Sequence, residues 1–192
     1  MTPSDRREMP TVYEPAEDSR LLAETAADEL DAGESVLEVG VGSGYVAAAV
    51  RDETGARVVG SDINPDACEA ARDAGVAAVR ANLLDPFADG RFDAVLFNPP
   101  YLPTPPDREW DDPLEHALSG GEDGRRLVRP FLRDVGRVLR PTGRAYLLVS
   151  SLTGLEAVDD LAREAGLATR ELADESFPFE RLVVLEITRD NT

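Results

Sequence analysis

Lysine is absent from this chain, and cysteine and histidine occur once each, as Cys68 and His116. One cysteine cannot pair within the chain, so a disulfide framework is excluded. With one Cys and one His, a Cys/His zinc site and a Ser-His-Asp triad have almost nothing to draw on, and no metal site is expected. No run approaches 18 apolar residues, which excludes a transmembrane helix. The segment Met1 to Pro10 is polar and lacks the apolar core of a secretory signal, so a soluble cytoplasmic protein is expected. Basic charge is scarce as well. Twenty arginines face 38 acidic residues, a net charge of −18 over 192 residues. The acidic residues are spread along the chain rather than gathered in a tail. They form either a solvated surface suited to a cytoplasm of very high salt, or a surface that meets a basic partner. Either way, binding of nucleic acid through bulk charge is disfavoured, because that needs a basic footprint.

Strand-like and helix-like segments alternate, with no internal repeat. That pattern predicts one α/β domain over residues 1–192, with residues 1–33 as a helical extension contributing to a ligand pocket. A helix is expected from Pro15-Ala16 to about Leu30, then a buried strand at Ser35 to Val39 and a helix from Gly44 to about Thr54. Arg57 to Asp62 is the next strand. Asn64 caps the following helix, with Pro65 at its first position. Val76 to Arg80 and Phe92 to Phe97 are further strands. Residues 98–123 hold six prolines and little periodicity, the mark of a functional loop. A helix kinked or delayed at Pro130 runs to about Leu139, and Arg144 to Ser150 is a buried strand. Thr153 to Glu156 reads as a capping box for a helix that Gly166 closes. Strands near Thr169 to Ala173 and Leu182 to Thr188 are too close together for an intervening helix. The expected fold is therefore a doubly wound, mostly parallel, seven-stranded sheet with a C-terminal antiparallel hairpin at one edge.

Glu38-Val-Gly40-Val-Gly42-Ser-Gly44 follows the first strand and opens a helix, the setting of a nucleotide-binding turn. Asp62 closes the second strand, where a carboxylate can accept from both ribose hydroxyls. Two features separate this from a dinucleotide site. Position 45 is Tyr where a third fingerprint glycine would stand, and Glu38 would repel a pyrophosphate. A carboxylate suits instead a ligand with positive charge and no phosphate, such as S-adenosylmethionine with its sulfonium and ammonium groups. Asn82-Leu83 follows the third strand at the same end of the sheet, where the Asn82 amide can accept from an adenine amino group; Asp85 is the neighbouring candidate.

Asn98-Pro99-Pro100-Tyr101 follows the apolar strand Phe92 to Phe97 and is the most specific signal in the chain. Two prolines fix the backbone and remove two N–H donors. The Asn98 side-chain oxygen and the Pro99 carbonyl can accept both hydrogens of an –NH2 group, while Tyr101 offers a flat face to a planar amide or amine. Held so, the nitrogen lies in line for attack on a sulfonium methyl.

With Val12-Tyr-Glu-Pro-Ala-Glu-Asp-Ser19, these motifs resemble those of the HemK-like protein-glutamine methyltransferases, a class I S-adenosylmethionine-dependent family with a Rossmann-like fold. The chain is most similar to the short archaeal and eukaryotic branch. Leu118-Ser-Gly-Gly-Glu-Asp-Gly-Arg125 resembles a glycine-rich stretch after that family's catalytic loop. The resemblance implies N5-methylation of the glutamine in the Gly-Gly-Gln loop of a class-1 release factor, with Asn98 and the Pro99 carbonyl holding the amide. It implies a cofactor pocket lined by Ser19, Glu38, Gly40, Asp62, Asn82 and Leu83; Gly42, Gly44 and Asn98 complete the candidate set. Relatives often carry Thr at position 19 and Asp at position 82. The recognition domain of bacterial relatives is expected to be missing, since only about 33 residues precede the first strand. The resemblance also implies a small zinc-binding activator subunit, for which the short apolar strand 76–80, at a sheet edge, is the expected docking site.

The alternatives are an adenine N6 or guanine N2 methyltransferase, which uses the same Asn-Pro-Pro-Tyr chemistry, a protein-lysine methyltransferase, and a nucleotide-binding scaffold without activity. A basic face built from Arg125, Arg126, Arg129 and Arg133 would favour nucleic acid or a tRNA-mimicking protein surface. Trp110 either shapes the substrate channel or anchors its loop. His116 is expected to be a loop residue and Cys68 a helix residue without a special role.

Overall fold

The computed structural model describes residues 15–104 and 119–190. Trp110, His116, Leu118 and residues 12–14 of the N-terminal motif lie outside the described residues. The elements, in chain order, are α1 (Glu17–Glu29), β1 (Ser35–Val39), α2 (Tyr45–Thr54), β2 (Arg57–Asp62), α3 (Pro65–Asp73), β3 (Ala77–Arg80), β4 (Phe92–Phe97), α4 (Val128–Val138), β5 (Leu139–Ser150), a 3-10 turn (Ser151–Thr153), α5 (Leu155–Glu164), β6 (Leu167–Ser176) and β7 (Arg181–Arg189).

The seven strands form one sheet in the order β3-β2-β1-β4-β5-β7-β6. Neighbours from β3 to β5 pair parallel, and β7 runs antiparallel to both β5 and β6. The strand order reverses between β1 and β4. In an open doubly wound sheet, ligands bind outside the carboxyl ends of the strands at that switch point.

Helices cover both faces, which is why the central strands are near-continuous apolar runs. Alternate residues serve opposite faces. Leu96, Tyr146 and Leu148 pack with Leu22, Ala26, Val46 and Val50 of α1 and α2, whereas Val95, Phe97 and Leu147 pack with Phe131, Val135 and Val158 of α4 and α5. The C-terminal end of α1 is fixed from below the sheet. The Arg144 guanidinium donates to both carboxylate oxygens of Glu34 at 3.0 Å and to the Glu29 carbonyl at 2.7 Å. Arg144 also donates to the fully buried Tyr146, whose phenol burial pushes up to about 12.

Asn64 caps α3 as expected, its side chain accepting from the Asp66 N–H at 2.9 Å. Pro130 makes no kink: α4 begins at Val128, so the proline occupies the first turn, where a backbone N–H has no partner inside the helix. The capping box at Thr153 does not form. Gly154 stands at the N-cap of α5, and Thr153 belongs to the 3-10 turn, where its hydroxyl donates to the Ser150 carbonyl at 2.6 Å. No helix among the described residues is long and apolar enough to cross a membrane.

Candidate active site

A cavity of about 800 Å³ opens at the carboxyl ends of β1, β2 and β4. Of the residues singled out from the sequence, Ser19, Glu38, Gly40, Gly42, Asp62, Asn82, Leu83, Asn98, Pro99, Pro100 and Tyr101 line it. Gly44 is not among the lining residues. It is the N-cap of α2 at φ 82°, and a Cβ there would lie 2.9 Å from the Ala71 Cα. Its place is at the α2–α3 contact, in a backbone conformation that favours glycine. It acts on the cavity indirectly, donating to the Val41 carbonyl at 2.8 Å and so closing the loop.

Glu38 is the most deeply set of the ionisable groups here, 3% exposed at the second-last position of β1. Its Oε2 accepts from the Ala47 N–H at 2.8 Å, so a strand carboxylate satisfies an orphan donor in the first turn of α2. Burial pushes the Glu38 carboxyl well above the usual carboxylate range, and the nearby Asp62 charge adds to the rise, against the opposing pull of the Ala47 N–H. Asp62, at the end of β2, accepts from the Gly42 N–H at 3.1 Å and from the Asn64 N–H at 2.9 Å. It thereby ties the glycine loop to β2, and a carboxylate with about four acceptor positions keeps capacity for further donors. Beyond β3, Asn82 donates to Asp85 at 3.3 Å, and Leu83 adopts φ 46°. Leu83 is the one described residue other than glycine in this sparsely populated region, and such backbone strain clusters at ligand sites.

Asn98 and the prolines extend directly from β4. Among the described residues, the Asn98 amide has no hydrogen-bond partner, although it is only partly exposed. The loop is held from below by the glycine-rich stretch. The Gly120 N–H donates to the Leu102 carbonyl at 2.9 Å, and the Thr104 N–H donates to the Gly121 carbonyl at 2.8 Å. A Cβ on Gly124 would lie 2.5 Å from the Tyr101 carbonyl oxygen, so only glycine lets this stretch come under the loop.

Further lining residues, including Asp18, Tyr45, Ser61 and Glu180, are not among the candidates singled out from the sequence. Asp18, 5% exposed, accepts from the Ser19 N–H at 2.6 Å; its signal was its place beside Ser19. The Ser61 hydroxyl, buried, donates to the Glu38 carbonyl at 3.4 Å. Tyr45 and Glu180 complete the wall, Glu180 arriving from the β6–β7 turn with no local pattern to announce it. Asp18, Glu38, Asp62 and Glu180 give the cavity four acidic side chains against one basic one, Arg126, a fit to a cationic ligand and a misfit to a pyrophosphate.

The four arginines that would build a basic face are engaged locally. Arg125 and Arg129 both pair with Asp123, Arg133 pairs with Asp134 at 2.7 Å, and Arg126 donates to the Ser119 carbonyl at 2.9 Å. Cys68 is buried on the core face of α3, its thiol donating to the Asp62 carbonyl at 3.6 Å. Among the described residues no cluster of His, Cys, Asp and Glu could hold a metal ion.

Residues 37–99, which span β1 through the Asn98 loop, match a family model described as a methyltransferase domain. A Methanocaldococcus jannaschii protein named as a protein N5-glutamine methyltransferase is 36% identical, over 94% of this chain and 93% of its own length. The Homo sapiens methyltransferase HEMK2 is 35% identical, over 93% of this chain and 90% of its own. Among solved structures, the E. cuniculi Mtq2–Trm112 complex responsible for methylation of the eRF1 translation termination factor contains a chain 29% identical, with a TM-score of 0.77, covering 94% of this chain and 99% of that one.

Proposed function

The chain belongs to the HemK-like protein-glutamine N5-methyltransferase family, and from that premise we propose that it methylates the side-chain nitrogen of the glutamine in the Gly-Gly-Gln loop of a class-1 release factor, using S-adenosylmethionine. The observation that carries this is the Asn98 amide, unpaired by the protein among the described residues and lining the same cavity as Glu38 and Asp62.

The cofactor, when bound, supplies a methyl group already activated on a sulfonium. Asp62 and Glu38, with the Ser19 hydroxyl, hold its polar parts, and Asn82-Leu83 its base; the loop through Gly40 and Gly42 allows close approach. On the acceptor side, Asn98 Oδ1 and the Pro99 carbonyl accept the two hydrogens of the glutamine amide. Pro99 and Pro100 present no competing N–H. Tyr101 flanks the amide plane. Two acceptors on the hydrogens favour the charge distribution in which nitrogen can attack, and fixing the nitrogen makes the transfer effectively unimolecular. The N–C bond would form as the S–C bond breaks to leave a neutral thioether, and one amide proton would pass to solvent.

A small zinc-binding activator subunit docks on β3. In support, β3 is an outer strand of the sheet, paired on one side only, with Val79 43% exposed. The related E. cuniculi enzyme is in complex with Trm112.

The test is mass spectrometry of the release factor from the same cell after incubation with cofactor and enzyme, with and without the activator. One added methyl mass on the glutamine, abolished in Asn98→Ala while the cofactor still binds, is the expected result. Intact cofactor binding with no methylation in either preparation would overturn the substrate.

A further inference from the structure

The carboxyl end of β5 and the tip of the β6–β7 hairpin are tied together beside the Asn98 side of the cavity. The Ser150 hydroxyl donates to Glu180 Oε2 at 2.8 Å, and the Arg181 N–H donates to the Ser151 hydroxyl at 3.0 Å. The 3-10 turn is held in turn by Arg125, which donates to the Thr153 carbonyl. Two large apolar side chains stand on these joined loops. Phe179 is 92% exposed, the highest value among the large apolar residues described, and Leu152 is 46% exposed. Leu102, 38% exposed, stands on the rim of the cavity directly after Tyr101. Glu180, next to Phe179, lines the cavity itself, and among the described residues only Ser150 bonds its carboxylate.

A single exposed apolar residue needs no explanation. Here Leu102 lines the cavity that holds the Asn98 loop, and Phe179 and Leu152 stand on the two loops that meet at the pinned Glu180 carboxylate. A carboxylate at that spot repels the phosphates of a nucleic acid and accepts from peptide N–H groups. We propose that the hairpin tip and the 3-10 turn are the docking surface for the protein loop that presents the target glutamine. Phe179 and Leu152 receive apolar side chains flanking that loop, and Glu180 accepts a main-chain N–H beside the glutamine. This rests on methylation of a protein amide, and names how the acceptor is held.

Steady-state methylation of the intact release factor by the active enzyme tests it. Phe179→Ala and Leu152→Ala each raise KM for the protein acceptor about tenfold and leave kcat within about twofold. Cofactor affinity by calorimetry stays at the wild-type value, which also certifies the fold of both variants. Phe179→Tyr, which keeps the ring, restores a KM near wild type. Unchanged KM in both alanine variants would overturn the docking surface and leave the enzyme's function standing. No methylation by the wild type would overturn the function and the docking surface with it.

Discussion

Glu38 sets the electrostatic character of the cavity at the scale of one side chain. Its folded-state pKa lies above its unfolded one, because burial penalises the charged form. The sign follows: its contribution to the stability of the ligand-free protein is fully present below the ordinary value of 4.5 and is lost as pH rises through the raised folded value. A cationic ligand reverses the preference, since it favours the charged carboxylate. Affinity for S-adenosylmethionine therefore weakens as pH falls through the raised value, while Glu38→Gln binds about tenfold more weakly and flattens that dependence. Calorimetric titrations across this window check it; an unchanged slope in Glu38→Gln would place the titrating group elsewhere. Much of this site was legible in the sequence. Glu38, Asp62 and Asn98 each sit at a strand's carboxyl end within a local motif, and all three reach one cavity. Glu180 was not legible, because what brings it in is the return of β7, a contact without a local pattern, whereas Asp18 stands inside the motif that ends at Ser19. Gly44 shows the converse: a glycine inside a binding motif is taken up by the helix packed against it.

Among the elements, β3 and β6 are the two outer strands of the sheet; β3 is the shorter, four residues long and paired only with β2. Its free edge presents backbone donors and acceptors in the geometry that accepts an added strand. Val79→Asp places a charge within that edge. It is expected to abolish a heterodimer by size exclusion while leaving isolated-chain unfolding within about 0.5 kcal/mol, as for an exposed position. A heterodimer that persists would move the interface to another face. Strand positions were readable because burial on both faces gives apolar runs of strand length, and Ser35–Val39, Arg57–Asp62 and Phe92–Phe97 fall at the boundaries expected. The β5 start and the Thr153 cap were misread for a different reason. Pairing of Leu139 with Phe92 of β4 extends β5 back to Leu139, and the Ser150 carbonyl takes the Thr153 hydroxyl before it can cap a helix.

Over the whole molecule, 38 acidic residues outnumber 20 basic ones, and the described arginines are largely consumed in local pairs such as Arg163 with Asp159 and Asp160, or Arg181 with Glu171. Exposed pairs of this kind add little stability. The unmatched acid repels itself at low ionic strength, and screening shortens its range from about 10 Å at 0.1 M salt to about 3 Å at 1 M. The melting temperature is thus expected to rise by about 5 °C or more from 0.1 to 2 M KCl, followed by circular dichroism; a flat or falling trend would mean that the paired arginines already offset the excess. The same molecule is divided in another sense. The lining residues proposed to hold the cofactor hang from α1, β1, β2 and the turn after β3, whereas those proposed to hold the acceptor hang from β4 and the β6–β7 hairpin. Each set has its own fastenings: Asp62 on Gly42 for one, Ser150 on Glu180 for the other. Change in one set need not disturb the other. Descent with modification can exchange the recipient of the methyl group by rewriting the hairpin and its neighbours, and pass the donor half on intact.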